Sequence, residues 1–405
     1  MFPRFRYGLL ATALVASSAS AQLAGSVDST AIHNRVLTLD SHADILLPST
    51  PKRYFLPGGG SRVDLAHLIK GGVDAVVFAV AVGPGPRDAA GIAVARKEAD
   101  EKLARIKAFV FDNQQRIGLA LGADDVERLH REGKIAVLIG FQNARSIGKD
   151  LSQIDLFYRE GVRIFAFNHA GHNDFSDSSR PSNEPPSEHG GLSPVGREAV
   201  RRLNDLGVLI DVSQLSTDAL LQTLQLTRAP VAATHSAVRT LIDDTRNLSD
   251  AELDAIKANG GVVQVTPFTA YVHKQDPASL AKVAAVRERY GLKGDARTPY
   301  DGSEAFPEER RNALIDELAL AQSRGSLNEF VDHIDYIARR IGWQHVGIGT
   351  DFDHGAGVTG FDSEADAPNV TRELVARGYT EEQIAGIWGG NFLRVLRAAE
   401  AARAQ

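Results

Sequence analysis

No cysteine occurs anywhere in the chain. That absence excludes disulfides, thiolate metal sites and lipid attachment through a cysteine. The fold must then be held by its core, and any metal must be bound through nitrogen and oxygen. No G-x-S-x-G elbow appears, which disfavours a serine hydrolase of that kind. No glycine-rich phosphate loop follows an early strand, which argues against an open dinucleotide-binding sheet. Basic tracts are lacking too, and a formal net charge of −6 leaves nothing to suggest nucleic acid as a partner. The apolar run from Tyr7 to Ala16 is far short of the roughly 20 residues that span a bilayer.

What does stand at the start reads as an address. "MFPRFRYGLLATALVASSASAQ" has a basic opening at Arg4 and Arg6, a short apolar run and a small-x-small ending at Ala19, Ser20 and Ala21. This is the pattern of a secretory signal peptide over residues 1–21. It implies a periplasmic or secreted protein without a membrane anchor. Residues 22–405 are then read as a single domain.

Along that domain one unit recurs: an amphipathic helix, a Gly-containing turn, and an apolar strand ending in polar residues. Eight strands are expected, at residues 36–44, 74–82, 135–143, 162–170, 208–214, 230–236, 261–267 and 345–353. Helical segments lie between them, one of them opened by Ser249 with Glu252 three residues on, a capping-box pattern. Eight alternating β and α units imply the α/β class and a closed (β/α)₈ barrel of the TIM type. Two connections are too long for ordinary loops, at about 171–191 and 269–328. Both follow the C-terminal ends of their strands, where barrel sites are built.

The first strand, "VLTLDSHADI", breaks its apolar pattern with Asp40, His42 and Asp44, spaced two apart and so on one face. Other strands end in Gln142, in Asn168 and His169, in Gln214, in His235, and in Asp351 with Asp353. A barrel brings these ends to one rim. Imidazoles beside carboxylates suit a divalent ion, and metal-assisted hydrolysis is the reaction class that follows.

These residues resemble the renal, or membrane, dipeptidase family of the amidohydrolase superfamily, peptidase family M19. The likeness rests on ordered motifs: "LDSHAD", "GVRIFAFNHAGHND", "GLSPVGREAVRRLNDLGVLIDVSQLS", "PVAATHSAV", "RNLSDAELDAIKANGGVVQV", "HVGIGTDFDH" and "GGNFLRVL". It implies a metal-dependent dipeptidase, tolerant of a D-residue at the C-terminal position, with a zinc centre and a homodimeric assembly. By that resemblance His42 and Asp44 hold one metal and His235 is a ligand of a second. Asp351 handles the proton of the attacking water, and His169 donates to the substrate carbonyl. Arg246 binds the substrate carboxylate, and Tyr271 lies beside the substrate.

Two positions depart from the family pattern. A glutamate that bridges both metals is here Gln142, and a histidine ligand is here Gln214. Two divalent ions about 3.5 Å apart repel by roughly 19 kcal/mol at an effective dielectric of 20, and the bridging carboxylate helps to offset this. The expectation is therefore one ion rather than two, held by His42, Asp44 and Asp351, with Gln142 and Gln214 as weak ligands. His172, His189 and His354 are candidate replacements, while Asp40 and Asp353 are read as structural carboxylates. Two rival readings follow from the same glutamines. One is a metal-poor barrel that binds carboxylate-bearing peptides, and the other is a mononuclear amidohydrolase acting on a different small amide.

Overall fold

A computed structural model describes residues 28–181, 185–293, 302–303 and 306–404. The expected signal peptide lies outside the described residues. Eight parallel strands form the barrel: β1 (Leu39–Asp44), β2 (Ala75–Ala81), β4 (Ile135–Gln142), β5 (Val162–Ala166), β6 (Leu209–Asp211), β7 (Ala232–Ser236), β8 (Val262–Val265) and β9 (Val346–Ile348). Each falls inside a stretch expected from the sequence. One further short strand was not expected: β3 (Ile117–Leu119), which pairs with the first residues of β4, Ile135 to Val137, ahead of those that pair with β5. The ring closes between β1 and the segment after β9, where the Asp44 amide donates to the Phe352 carbonyl at 2.9 Å and the Asp351 amide to the His42 carbonyl at 2.7 Å. The fold is a (β/α)₈ barrel.

The strands read as apolar runs because both of their faces are covered. β2, "AVVFAVA", and β4, "IAVLIGFQ", are buried at every position. Their outward side chains pack under amphipathic helices such as Ala89–Asp112, which buries Ala95, Ala99, Leu103, Ile106 and Phe109. The predicted capping box is present: Ser249 accepts from the Glu252 amide, and the Glu252 carboxylate accepts from the Ser249 amide.

The two long connections behave differently. Within 171–191 the buried Asp177 carboxylate accepts from Ser187 and from the amides of Glu188, His189 and Gly191, which folds the loop on itself, while the Ser179 amide on the Gln214 carbonyl and the Ser216 amide on the Asp177 carbonyl tie it to the barrel mouth. Within 269–328, helices Pro277–Arg289 and Glu308–Ala321 pair as a hairpin with a small core of their own, including Val283, Val286, Leu314 and Leu318. Among the described residues no helix is long and apolar enough to cross a membrane.

Candidate metal centre and substrate site

The chain is forced into unusual backbone where the strands end. Among the described residues, the non-glycine residues with positive φ are Asn143 (79°), Gln214 (66°), Asp351 (55°) and Asp353 (63°). All four follow a barrel strand on its C-terminal side. Such conformations cost energy for a residue with a Cβ and persist only where the surroundings enforce them. One close approach shows the enforcement: a Cβ at Gly349 would come within 1.9 Å of the Thr234 carbonyl oxygen, so only glycine lets the turn toward Asp351 press against β7.

His42, Asp44, Gln142, His169, Gln214, His235, Arg246, Tyr271 and Asp351 are all buried at this mouth. Ligand atoms of His42, Asp44 and Asp351 lie within 4.8 Å of one another, with His42 Nε2 3.9 Å from an Asp351 oxygen. The rings of His42 and His235 stack, centroids 3.7 Å apart. Asp40 is not part of the cluster. A register shift in β1 after Asp40 turns it away, and its carboxylate accepts from the amides of His42 and Thr350 and from the Thr350 hydroxyl. Asp353 accepts from Ser61 and from the Arg62 amide. Both carboxylates are engaged with neighbouring amides and hydroxyls, and Asp353 also lines the cavity beside the centre.

The hydrogen bonds fix the tautomers. Thr234 Oγ1 donates to the acceptor-only carboxylate of Asp211 at 2.6 Å, so it must accept from the His235 Nδ1 hydrogen at 2.9 Å. His42 Nδ1 lies on the same oxygen at 3.3 Å. Both imidazoles therefore present a bare Nε2. That of His235 receives the amide nitrogens of Gln142 (3.0 Å) and Gln214 (3.2 Å). That of His42 has no hydrogen-bond partner, and neither have Asp44 Oδ2, which faces only the His354 imidazole at 3.4 Å, and Gln142 Oε1. Three buried lone-pair atoms without a hydrogen bond, on β1 and β4, make a place suited to a cation.

A divalent ion fits the atoms offered by His42, Asp44 and Asp351, and Gln142 Oε1, unbonded on β4, is a further oxygen for it. A second ion fits poorly, since the lone pair of His235 is already taken by two amide groups. The positively charged side chains around the centre were not all anticipated. Lys102, from helix Ala89–Asp112, donates to Asp44 Oδ1 at 2.9 Å. His354 Nδ1 stands 3.4 Å from Asp44 Oδ2 and 3.3 Å from Asp351 Oδ1. Burial alone would raise the Asp44 carboxyl, but Lys102, His354 and His42 bring it below its ordinary value. Burial lowers His354, yet the two carboxylates raise it overall. His169 and His235 are held well below the usual imidazole range by burial, reinforced by neighbouring cationic groups.

Of the three candidate replacement histidines the structure brings in only His354. His172 is spent on the Ser178 amide and the Pro185 carbonyl, and His189 on the Asn173 carbonyl. Asn168 is likewise structural, donating to the Gly171 and Ser176 carbonyls.

On the far side of His235, Arg246 donates to Ser236 Oγ at 3.1 Å and to the His235 carbonyl, with its guanidinium 5.4 Å from the Tyr271 ring. Arg180, from the 171–191 loop, donates to the Tyr271 hydroxyl at 3.0 Å and to Gln214 Oε1 at 3.1 Å. On the near side a cavity of about 220 Å³ is lined by Asp44, Leu47, Tyr54, Lys102, His169 and His354 among others. The acceptor cluster thus adjoins the Arg246 guanidinium at His235, that of Arg180 at Gln214, and a small cavity at Asp44.

Residues 28–405 match the model of the membrane dipeptidase family, peptidase family M19. Dipeptidase tcpJ of Claviceps purpurea is 29% identical over 344 residues, covering 84% of this chain and 69% of that protein. Dipeptidase aclJ of Aspergillus oryzae is 31% identical over 274 residues, 67% of this chain but about half of its own length, 53%. Among solved structures, the probable dipeptidase PvdM from Pseudomonas aeruginosa superposes with a TM-score of 0.84 at 36% identity, covering 92% of this chain and 98% of that one. A metallo peptidase from Rhodobacter sphaeroides, liganded with a phosphinate mimic of the dipeptide L-Ala-D-Ala, shares the fold at a TM-score of 0.70 and 22% identity, covering 90% and 99%.

Proposed function

The chain belongs to the membrane dipeptidase family, peptidase family M19, and on that premise we propose that it hydrolyses the amide bond of dipeptides with the help of one divalent ion, zinc by preference. The observation that carries the proposal is the buried group of His42, Asp44 and Asp351, whose ligand atoms lie within 4.8 Å of one another and in which His42 Nε2 and Asp44 Oδ2, like Gln142 Oε1 on β4, make no hydrogen bond. An ion bound there supplies a Lewis acid for the carbonyl and lowers the pKa of water near neutral pH.

The other roles belong to side chains of the chain itself. Asp351, held by backbone with positive φ at the centre, takes the proton from the attacking water and returns it to the leaving amine. His169, on the rim of the small cavity, donates to the carbonyl oxygen as charge develops on it. Arg246 fixes the C-terminal carboxylate, a role its planar fork suits, with Tyr271 packed alongside. The proposal extends to export, from the basic and apolar start of the chain, and to a homodimer, from the family resemblance.

The test is hydrolysis of L,L- and L,D-dipeptides by the purified protein with added Zn²⁺, Co²⁺ or Mn²⁺. The L,D substrates are included because of the L-Ala-D-Ala mimic in the Rhodobacter sphaeroides neighbour. Metal-dependent release of free amino acids is expected. Absence of turnover with every metal, while an active family member works in parallel, would overturn the reading in favour of a peptide-binding barrel.

A further inference from the structure

The two glutamines look alike in the sequence, yet the structure gives them opposite tasks. Their orientation is set from Asp211, whose carboxylate takes the Thr234 hydroxyl hydrogen. Thr234 Oγ1 then accepts from His235 Nδ1, which leaves His235 Nε2 as an acceptor. The group of Gln142 that faces it at 3.0 Å must be the NH₂, so Gln142 Oε1 is turned the other way, where it has no partner. Gln214 is oriented independently. Its Oε1 accepts from Arg180, a donor-only group, at 3.1 Å, which turns its NH₂ toward His235 Nε2 at 3.2 Å.

We propose that these residues form an amide clasp, in which Gln142 and Gln214 close the second-ion place on His235, Arg180 holds Gln214 in position, and only Gln142 lends its oxygen to the single ion bound with His42, Asp44 and Asp351. Gln142 is thus at once a metal ligand and part of the seal, whereas Gln214 is seal alone. Arg180 is a positioning residue. Its contact with the Tyr271 hydroxyl ties the clasp to the flank where the substrate carboxylate is expected. The inference rests on the family reading only in taking a divalent ion to be bound.

The experiment counts ions rather than turnover. Apo-protein is titrated with Zn²⁺ and with Mn²⁺, the bound metal is measured by elemental analysis after desalting, and the Mn²⁺ form is examined by electron paramagnetic resonance. The wild type should hold one ion per chain and give the signal of an isolated Mn²⁺. Gln142→Leu should weaken ion affinity tenfold or more, while Gln214→Leu changes it by less than about threefold. Gln142→Glu with Gln214→His should admit a second ion, and Gln142→Glu with Arg180→Met should hold one weakly where Gln142→Glu alone holds none, because Gln214 is then no longer held against His235.

Two ions per chain in the wild type, with a spin-coupled Mn²⁺ pair, would overturn the clasp while leaving dipeptide hydrolysis intact. Equal losses of affinity from the two single leucine variants would also overturn it, even if the wild type holds one ion. No bound ion together with no turnover would overturn the clasp and the function reading together. No bound ion with turnover preserved would overturn the clasp and the metal.

Discussion

Lys102 provides the sharpest test of how charge is balanced at the centre. Its ammonium lies 2.9 Å from Asp44 Oδ1, with side-chain exposures of 13% and 4%, so Lys102→Met removes one half of a mostly buried ion pair. At an effective dielectric of 20 the direct attraction at that distance is about 6 kcal/mol. Removing one partner of a buried pair typically costs about 3–5 kcal/mol, because the remaining charge is stranded. Allowing for the residual exposure of Lys102, the ion-free protein should lose about 3 kcal/mol of unfolding free energy. The ion-loaded protein should lose about 1 kcal/mol or less, because the ion itself then neutralises Asp44. By linkage the difference of about 2 kcal/mol must reappear as tighter ion binding, roughly 30-fold. Urea unfolding with and without saturating Zn²⁺ gives the first two quantities, and competition with a chelating dye gives the third. Equal destabilisation of both forms with unchanged ion affinity would refute the assignment of Lys102 as the counter-charge of Asp44.

Three further outcomes are expected. Asp351→Asn should lower kcat by about 10²–10⁴-fold even at saturating metal, the usual contribution of a positioned general base, and should also weaken the ion, because Asp351 is one of the two carboxylates beside it, as read by elemental analysis after desalting. Arg246→Lys keeps the charge but loses the fork, so KM for dipeptides should rise by roughly tenfold or more with a smaller change in kcat, read from initial rates. Glu364 is fully buried, and burial together with Asp40 holds its carboxyl well above the ordinary range. The folded protein therefore binds that proton more tightly than the unfolded chain, and the stability it gives is complete below the unfolded pKa and is lost as pH rises toward the folded one. Glu364→Gln should accordingly be more stable than wild type at pH 8 and nearly equal to it at pH 5, measured as urea midpoints.

Much of the barrel was legible because parallel strands covered on both faces leave long apolar runs, and all eight runs became strands. β3 was missed because its three residues, Ile117–Leu119, carry too little pattern to stand out from the end of the preceding helix. The acceptor cluster was legible too, since His42, Asp44, Gln142, His235 and Asp351 interrupt apolar strands. Lys102 was not. It shares its helix with Lys97, whose side chain is 80% exposed, and five helical positions separate the two by about 140°. Only the docking of the helix on the barrel distinguishes a solvated lysine from one that reaches a strand end. Arg180 was hidden for a similar reason. Its partners Gln214 and Tyr271 lie 34 and 91 residues away, and a loop rich in Ser and Pro gives no local sign of them. His354 stood out only as one of three neighbouring histidines, and its selection depends on the positive φ of Asp351 and Asp353, which no residue type announces.

The two glutamines and Lys102 are best understood as one change. A bridging glutamate in place of Gln142 would add a negative charge to those of Asp44 and Asp351 and could balance two ions. With Gln142 neutral, the carboxylates facing the ion site are Asp44 and Asp351, and Lys102 already draws on the first of them. A single divalent ion beside Lys102 leaves the group with a modest positive excess, which a substrate carboxylate or a deprotonated water can meet. A second ion would add two more charges beside His235, where the remaining carboxylate, Asp211, already accepts from the Ser213 and Thr234 amides and the Thr234 hydroxyl, and the repulsion between ions at close range far exceeds what amide oxygens return. Gln142→Glu alone should therefore do little, because Gln214 would still occupy His235. Gln214→His alone should do little as well, because the charge would still be missing. The second ion requires both changes at once, and that non-additivity, measured as ion count across the two single variants and the double, separates a coupled redesign of the centre from two independent losses.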